Sequence, residues 1–429
     1  MQAQGIALVL LVILALAAGQ YTTSSAVNNQ LSELETVDFA QLEEQTGLSF
    51  SITDTDHSTG LTSSSGSLTL TVDDGALAFV SLVEYELQHL LTQRVGVNAI
   101  VRELALEGEE SIDLIETVFK ENPLTFDGSF SLEGAIDGEL SIPRVEFSED
   151  TAAISIDGST VFLKSDPMGA PGEFINSEYE FVVPKIFFSS DEQEYEINQF
   201  SWLIETTEGK TAETGSSTQK MSINSQVLTQ SGVAMASFGA LTVESETLFG
   251  DLAISGTSTL TLESALTAFG PMTDFKLAMS VQDINRAIAD ELQTFVQRLG
   301  MTTDEDEQAV ITQEFLSKTA DLFVANSPRI NIDEFKFNFG TDEFINLKAE
   351  LKLNKDKIDP SSIALIQQLG LAGASILIPA LEFRMDADLS QQALMMAGAM
   401  NPALAATLSE SMVVEAIDGS VTLNGVPIM

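Results

Sequence analysis

The chain reads as an α+β protein, mainly antiparallel β-sheet, elongated, with a few helices packed on the strands. Three observations predict this. Ile345, Leu347, Ala349, Leu351 and Leu353 alternate with Asn346, Lys348, Glu350 and Lys352. That is the two-residue period of a strand with one covered face and one solvated face. Just before it, Val310, Ile311, Phe315, Leu316, Leu322 and Phe323 recur close to the helical period of about 3.6. Short alternating runs of the same kind then fill most of the chain, separated by Gly, Asn-Pro and Asp-Gly signals.

The stretch 303–353 shows the grammar most clearly. Thr302 and Thr303 suit an N-cap, and Asp304, Glu305 and Asp306 place negative charge at the positive end of the helix dipole. Asn326-Ser327-Pro328 stops the helix, because proline biases its predecessor away from helical backbone. Ile330 and Ile332 alternate, the register slips at Asp333-Glu334, and Phe335, Phe337 and Phe339 alternate again. Such a slip predicts a β-bulge or short loop. Gly340 to Glu343 reads as a turn. Phe335, Phe337 and Phe339 are expected on one face with Leu347, Ala349 and Leu351, covered by a helix.

Taken in order, Ile6 to Ala18 is an uninterrupted apolar run. It is short for a membrane span, which needs about 20 residues, though Gln2 to Tyr21 makes a marginal one. Ala15-Leu16-Ala17 would suit signal cleavage. No Lys or Arg precedes Arg94, an unusual start for either a signal or an anchor. Residues 1–21 are therefore assigned as a signal or anchor segment and 22–48 as a tether with a short acidic helix. Residues 49–270 form an N-terminal β-rich part, and 271–429 a C-terminal α+β part that can be continuous with it. Strands are expected around Leu68–Val72, Leu77–Val80, Ile154–Leu163, Tyr179–Phe188, Ile197–Thr206, Leu260–Leu262 and Leu381–Leu389, with a last hairpin from Val413–Ile417 through Asp418-Gly419 to Val421–Leu423, closing at Asn424-Gly425. Ser81–Leu91 fits strand or helix, and Glu208–Lys220 reads as a polar loop or hairpin tip. Helices are expected at about 111–121, 281–299 (opened by Ser280 and Asp283), 304–325 and 390–410, with a further candidate at Ile363–Leu371. Asp113–Ile142 echoes 303–353 as helix, proline stop and strands, a weak internal repeat.

The charge excludes some functions. With 64 acidic against 19 basic residues in 429, the formal net charge is -45. Phosphate recognition needs clustered Lys and Arg, so nucleic acid is excluded as a partner, and electrostatic docking on anionic lipid is disfavoured. There is no cysteine, hence no disulfide, thiolate metal site or cysteine nucleophile. Asp54 to Gly60 resembles a calcium loop, but its Gly falls seventh and Ser65 stands twelfth. A calcium loop needs Gly sixth and Glu twelfth.

The residues assign no chemical site: no catalytic, cofactor-binding or metal-ligating residue is named. His57 and His89 are the two histidines, 32 residues apart, without a nucleophile elbow near either. Ser217 and Lys220 fit Ser-x-x-Lys but lack the partner motifs of that chemistry. Many carboxylates are present and none is singled out by spacing. Met395, Met396 and Met400 would line an adaptable apolar groove or, as methionines more often do, pack in a core.

Three stretches resemble one family. They are Gly60 to Ser64, then Phe323 to Ile332 across the Asn-Ser-Pro stop, and Gly419 to Pro427. The order of elements also resembles, over nearly the whole chain, the YdgA-like bacterial envelope proteins, a domain of unknown function. The resemblance implies a Gram-negative protein with one N-terminal inner-membrane anchor and a periplasmic body, or secretion to the periplasm after cleavage. It brings no catalytic residues and no cofactor. The reading is a non-enzymatic, membrane-tethered structural or accessory protein. The alternatives are a carrier or channel for lipid or another hydrophobe, and a hydrolase with a carboxylate pair. The partners expected are the inner membrane through residues 1–21, no nucleic acid, and as open options a homodimer and a hydrophobic ligand.

Overall fold

The computed structural model describes residues 48–427 except 61, 74–77, 90–93, 108–111, 121, 132–134, 150, 168–173, 191, 212–213, 268–269, 302–307, 309, 316–317, 320–321, 323–326, 341, 359–378, 401–407 and 418–419. The expected N-terminal segment, the acidic helix at 31–48 and the helix at 363–371 lie outside the described residues, except for Leu48. The described chain is mostly antiparallel sheet with few, short helices. It divides into two compact units, one drawn from residues up to Thr207 and Ile223–Met235, the other from Glu208–Ser222 and Ala236–Met429.

The first unit is a meander. Its strands are β1 (Ser49–Thr59), β2 (Ser63–Asp73), β3 (Ala78–His89), β4 (Arg94–Glu107), β5 (Ile112–Asp113), β6 (Leu124–Ser131), β7 (Ile136–Ile142), β8 (Val145–Glu149), β9 (Ala152–Ile156), β10 (Ser159–Ser165), β11 (Ser177–Ser189) and β12 (Gln193–Glu208). Antiparallel pairing runs β1–β2–β3–β4–β6–β7–β10–β11–β12, with β8–β9 added beside the end of β11. Alternation explains the faces. Val83, Tyr85 and Leu87 on β3 are buried while Glu84, Glu86 and Gln88 are exposed, which resolves the described part of that stretch, Ser81–His89, as strand. Leu70 on β2 and Phe130 on β6 are both 0% exposed and share one core cluster with residues from β1 to β10. The apolar side of the sheet therefore wraps round a common core. Tyr85 carries its hydroxyl into that core without a hydrogen-bond partner, and burial, then the Asp56 charge, pushes its pKa up to about 12.

Two glycines make room for a core ring. Gly128 and Gly138 are directly opposite on β6 and β7. A Cβ at Gly138 would meet the Phe126 ring at 2.5 Å. The ring thus lies over bare backbone in a place no other residue leaves free.

Sequence and structure differ at several elements. The helix expected at 111–121 is only α1 (Leu114–Thr117). Ile112 and Asp113 pair with β4 as β5, and Asp113 caps α1, its Oδ1 accepting from Ile115 N (2.8 Å) and Glu116 N (3.1 Å). Sheet pairing thus claims the residues that helical spacing had included. The single strand expected over Ile154–Leu163 breaks at Asp157-Gly158 into β9 and β10. The polar stretch ending at Lys220 is no loop at its end, because β13 (Gly215–Gln230) already begins there.

β14 (Val233–Phe238), which passes from the first unit into the second at Ala236, leads to β15 (Leu241–Phe249), β16 (Ala253–Thr267), β17 (Gly270–Asn285), β18 (Arg329–Phe339), β19 (Asp342–Leu353), β20 (Leu381–Leu389), β21 (Ser411–Ile417), β22 (Ser420–Leu423) and β23 (Val426–Pro427) of the second. From β15 onward each strand pairs antiparallel with the next. Asn424 (φ 50°) and Gly425 (φ 80°) turn β22 into β23, with the positive φ pair that a two-residue hairpin favours. The second helix, α2 (Arg286–Met301), starts five residues later than the expected 281, because β17 runs on to Asn285. Ser280 and Asp283 belong to that strand, and the cap is Asn285, whose Oδ1 accepts from Ala287 N at 3.0 Å. The described residues of 308–322 are helical and lie against α2 through Phe295 and Phe315, 4.7 Å apart, and the ion pair Arg298–Glu314. The fourth helix is described as α3 (Gln391–Met400); the remainder of 390–410 beyond Met400 is described only from Leu408.

Replacing Gly138 by Val should destabilise the first unit by about 3 kcal/mol, since overpacking a filled site forces ring or backbone to move. Chemical denaturation with a probe in that unit would check it; a loss below about 0.5 kcal/mol would contradict the packing described.

Candidate functional site

The second unit carries the most unusual surface. Residues directly opposite in an antiparallel sheet share a face, so the registers define its rows. One row crosses Met279, Ile332, Ala349, Met385, Val414 and Leu423 on β17 to β22. The next crosses Val281, Ile330, Leu351, Phe383, Ala416 and Val421. A third, toward the other end of the strands, joins Leu260, Leu277, Phe335, Leu347, Ala387 and Met412.

Bulges hold this face together. Between Ile332 and Phe335 the pairing with β19 shifts by one residue, so Ile330, Ile332, Phe335 and Phe337 share a face that strict alternation would have split. The slip at Asp333-Glu334 was legible in the sequence. A second shift leaves Phe344 extra on β19, and its ring lies 5.1 Å from Phe337 and 5.7 Å from Phe339. Phe275 adds contacts to Phe335 (5.7 Å) and Phe337 (6.3 Å).

The face is covered unevenly. Ala387, Met412 and Ala393 of α3 are buried at one end of the strands, and Leu353 with Ala380 at the other. Between them the two middle rows are half-buried or open: Met279 is 36% exposed and Ile330 43%. The phenylalanines of β18, expected to be buried under a helix, are half-buried and pack mainly on one another. The contrast with the first unit is in the core: its apolar side is closed, and this one forms a shallow trough.

The opposite face is polar and ion-paired. Lys276 and Lys336 are directly opposed, which alone would be unfavourable. Glu334 reaches both at 2.7 Å. The hydrogen bonds from Lys276 and then Lys336 hold its pKa down at about 2. Arg384 grips Asp386 through two bonds of 2.9 Å and Glu415 through one of 2.7 Å. Asn354 and Lys357 likewise lower the pKa of Glu382. These perturbed carboxylates are ion-paired along strands, not gathered around a recess.

The residues weighed for chemistry do not converge. His57 is half-buried on β1 opposite Gly66. The side chain of His89, at the end of β3, is outside the described residues. Ser217 and Lys220 stand three apart on β13, which puts them on opposite faces, and Lys220 is bound to Glu244 at 2.7 Å. Met395 is 69% exposed on α3, so it is not core; Met396 and Met400 have side chains outside the described residues. Among the described residues no three His, Asp or Glu side chains gather as a metal would require. No described helix is long and apolar enough to cross a membrane. Open recesses among the described residues include one of about 290 Å³ on the polar face beside Glu246, Thr257 and Ser280, and one of about 260 Å³ in the first unit beside Arg94, Lys164 and Glu178.

A family model described as a bacterial protein of unknown function (DUF945) matches residues 3–425. The chain belongs to the DUF945 family. No curated protein and no solved structure matches it. Membership in DUF945 carries no activity, so the assignment of a site rests on the trough and its surroundings.

Glu334 provides a pH handle. Its folded pKa lies below the ordinary 4.5, so the stability it contributes is present above that value and is lost as pH falls toward about 2. Acid titration of the melting temperature should show a loss across that window that Glu334→Gln removes; an unchanged slope in the variant would contradict the clamp.

Proposed function

We propose that this DUF945 protein is a non-enzymatic, YdgA-like envelope protein that shelters a lipid acyl chain or similar hydrophobe on the open apolar face of its second unit. The observation that carries the reading is the pair of half-buried rows through Ile332–Ala349–Met385 and Ile330–Leu351–Phe383. Six strands at about 4.8 Å spacing give the trough a reach of about 24 Å. An acyl chain spans about 15 Å, half the core of a bilayer. Half-buried apolar surface of this extent marks an interaction site. Methionines 279 and 385 add side chains that adapt to irregular ligands.

The surroundings fit the same reading. The apolar run Ile6–Ala18 is suited to hold the chain at the inner membrane, where lipid is the ambient hydrophobe, with the body in the periplasm. The absence of cysteine and the acidic composition suit an exported, solvated body. A purely structural role is the second reading, favoured by the closed, well-packed core of the first unit.

Protein extracted gently from membranes should retain a lipid adduct in native mass spectrometry. Ile330→Asn, at an exposed position, should change stability by less than about 1 kcal/mol yet reduce the adduct severalfold. Repeated recovery of the bare mass would count against the carrier reading and in favour of the structural one. For the location, alkaline phosphatase fused after Met429 should be active; an inactive fusion at normal expression would refute export.

A further inference from the structure

We infer that the hydrophobe carries an uncharged, hydroxyl-bearing head group, of the long-chain alcohol or acylglycerol class, and is not a fatty acid or phospholipid. This rests on the hydrophobe-binding reading above and adds the chemistry of the ligand's polar end.

Two observations carry it. The first is where the trough ends. Followed from Ile332 through Met279 toward β15, the row passes Ser258 and then Ser245, because Met279 opposes Ser258 and Ser258 opposes Ser245. The two hydroxyls are 3.0 Å apart. The neighbouring row ends at Gly256 and Thr247. The rows are therefore apolar from β17 to β22 and turn hydroxylic on β16 and β15, where Ser258, Ser245 and Thr247 carry no charge. Paired hydroxyls donate and accept, so they match a ligand hydroxyl or ester.

The second observation is where the cations are. Lys276, Lys336, Lys348, Lys352, Arg329 and Arg384 all alternate onto the opposite face of β17 to β20. The cations nearest the hydroxyl end are already engaged, Lys220 with Glu244 and Arg286 with the Gly250 carbonyl, so an anionic head there would gain no free counter-charge. It would also lie in the field of a chain with net charge -45, and a buried or half-buried charge without a partner is strongly disfavoured. An uncharged head avoids both costs.

The test is a competition on the intact chain in non-ionic detergent, with equal oleyl alcohol and oleate at about pH 9, where the carboxylate is ionised. Native mass spectrometry reads the adducts. Oleyl alcohol should be retained at least about tenfold over oleate. Ser245→Ala with Ser258→Ala should lower alcohol retention by about tenfold with the melting temperature unchanged, since both partners of one hydrogen bond are removed together. Ser258→Lys should shift the preference toward oleate. Equal or better retention of oleate by the native chain would overturn the head-group inference and leave the hydrophobe reading standing. Retention of neither probe would overturn the hydrophobe reading itself.

Discussion

The structure depends on the pleat. A strand turns successive side chains to opposite faces, and a slip of one residue exchanges every one of them. Both units are long antiparallel meanders, so each must keep its apolar residues in phase across many strands. Where the sequence falls out of phase, the chain inserts a bulge and recovers. The extra residues near Arg102, Asp333 and Phe344 all do this. At Asp333 the correction brings two isoleucines and the following phenylalanines to one side. Without it, the face would mix Ile330 with Lys336.

What the pleat produces differs between the units. In the first, glycines at 128 and 138 leave room for the Phe126 ring against the backbone, and Leu70 and Phe130 are fully enclosed. The second unit also lines its inner side with apolar rows, yet these rows stay half-buried. Alternation supplies a greasy face in both; only close approach of backbone to ring converts such a face into a sealed core. A face left open in a chain this acidic is an expense without a structural return, which is the physical argument for a ligand.

The polar side shows how few cations serve many acids. Glu334 is held between two opposed lysines, and Arg384 spans Asp386 and Glu415. Each is exposed enough that its stabilisation is modest. Their larger effect is segregation: with the Lys and Arg side chains of β17 to β20 engaged or aligned on one face, the other is left free of charge.

Most strands, the stop at Pro328 and the slip at Asp333 were legible in the sequence alone, because these are local: a two-residue period and a missing N–H. The sequence also determined which residues of 330–353 share a face. It misjudged the ends of helices. Ser280 and Asp283 have the chemistry of a cap, but pairing of β17 with β16 and β18 took those residues, and Asn285 became the cap instead. Ile112 and Asp113 were lost to β4 in the same way. The candidate site was half legible. The apolar row on β19 could be read from alternation. That it lines up with Met279, Met385 and Val414, passes to Ser258 and Ser245, and stays half-buried in its middle follows from tertiary contacts alone. Register between strands and the depth of burial depend on residues far apart in the chain, and no local period encodes them.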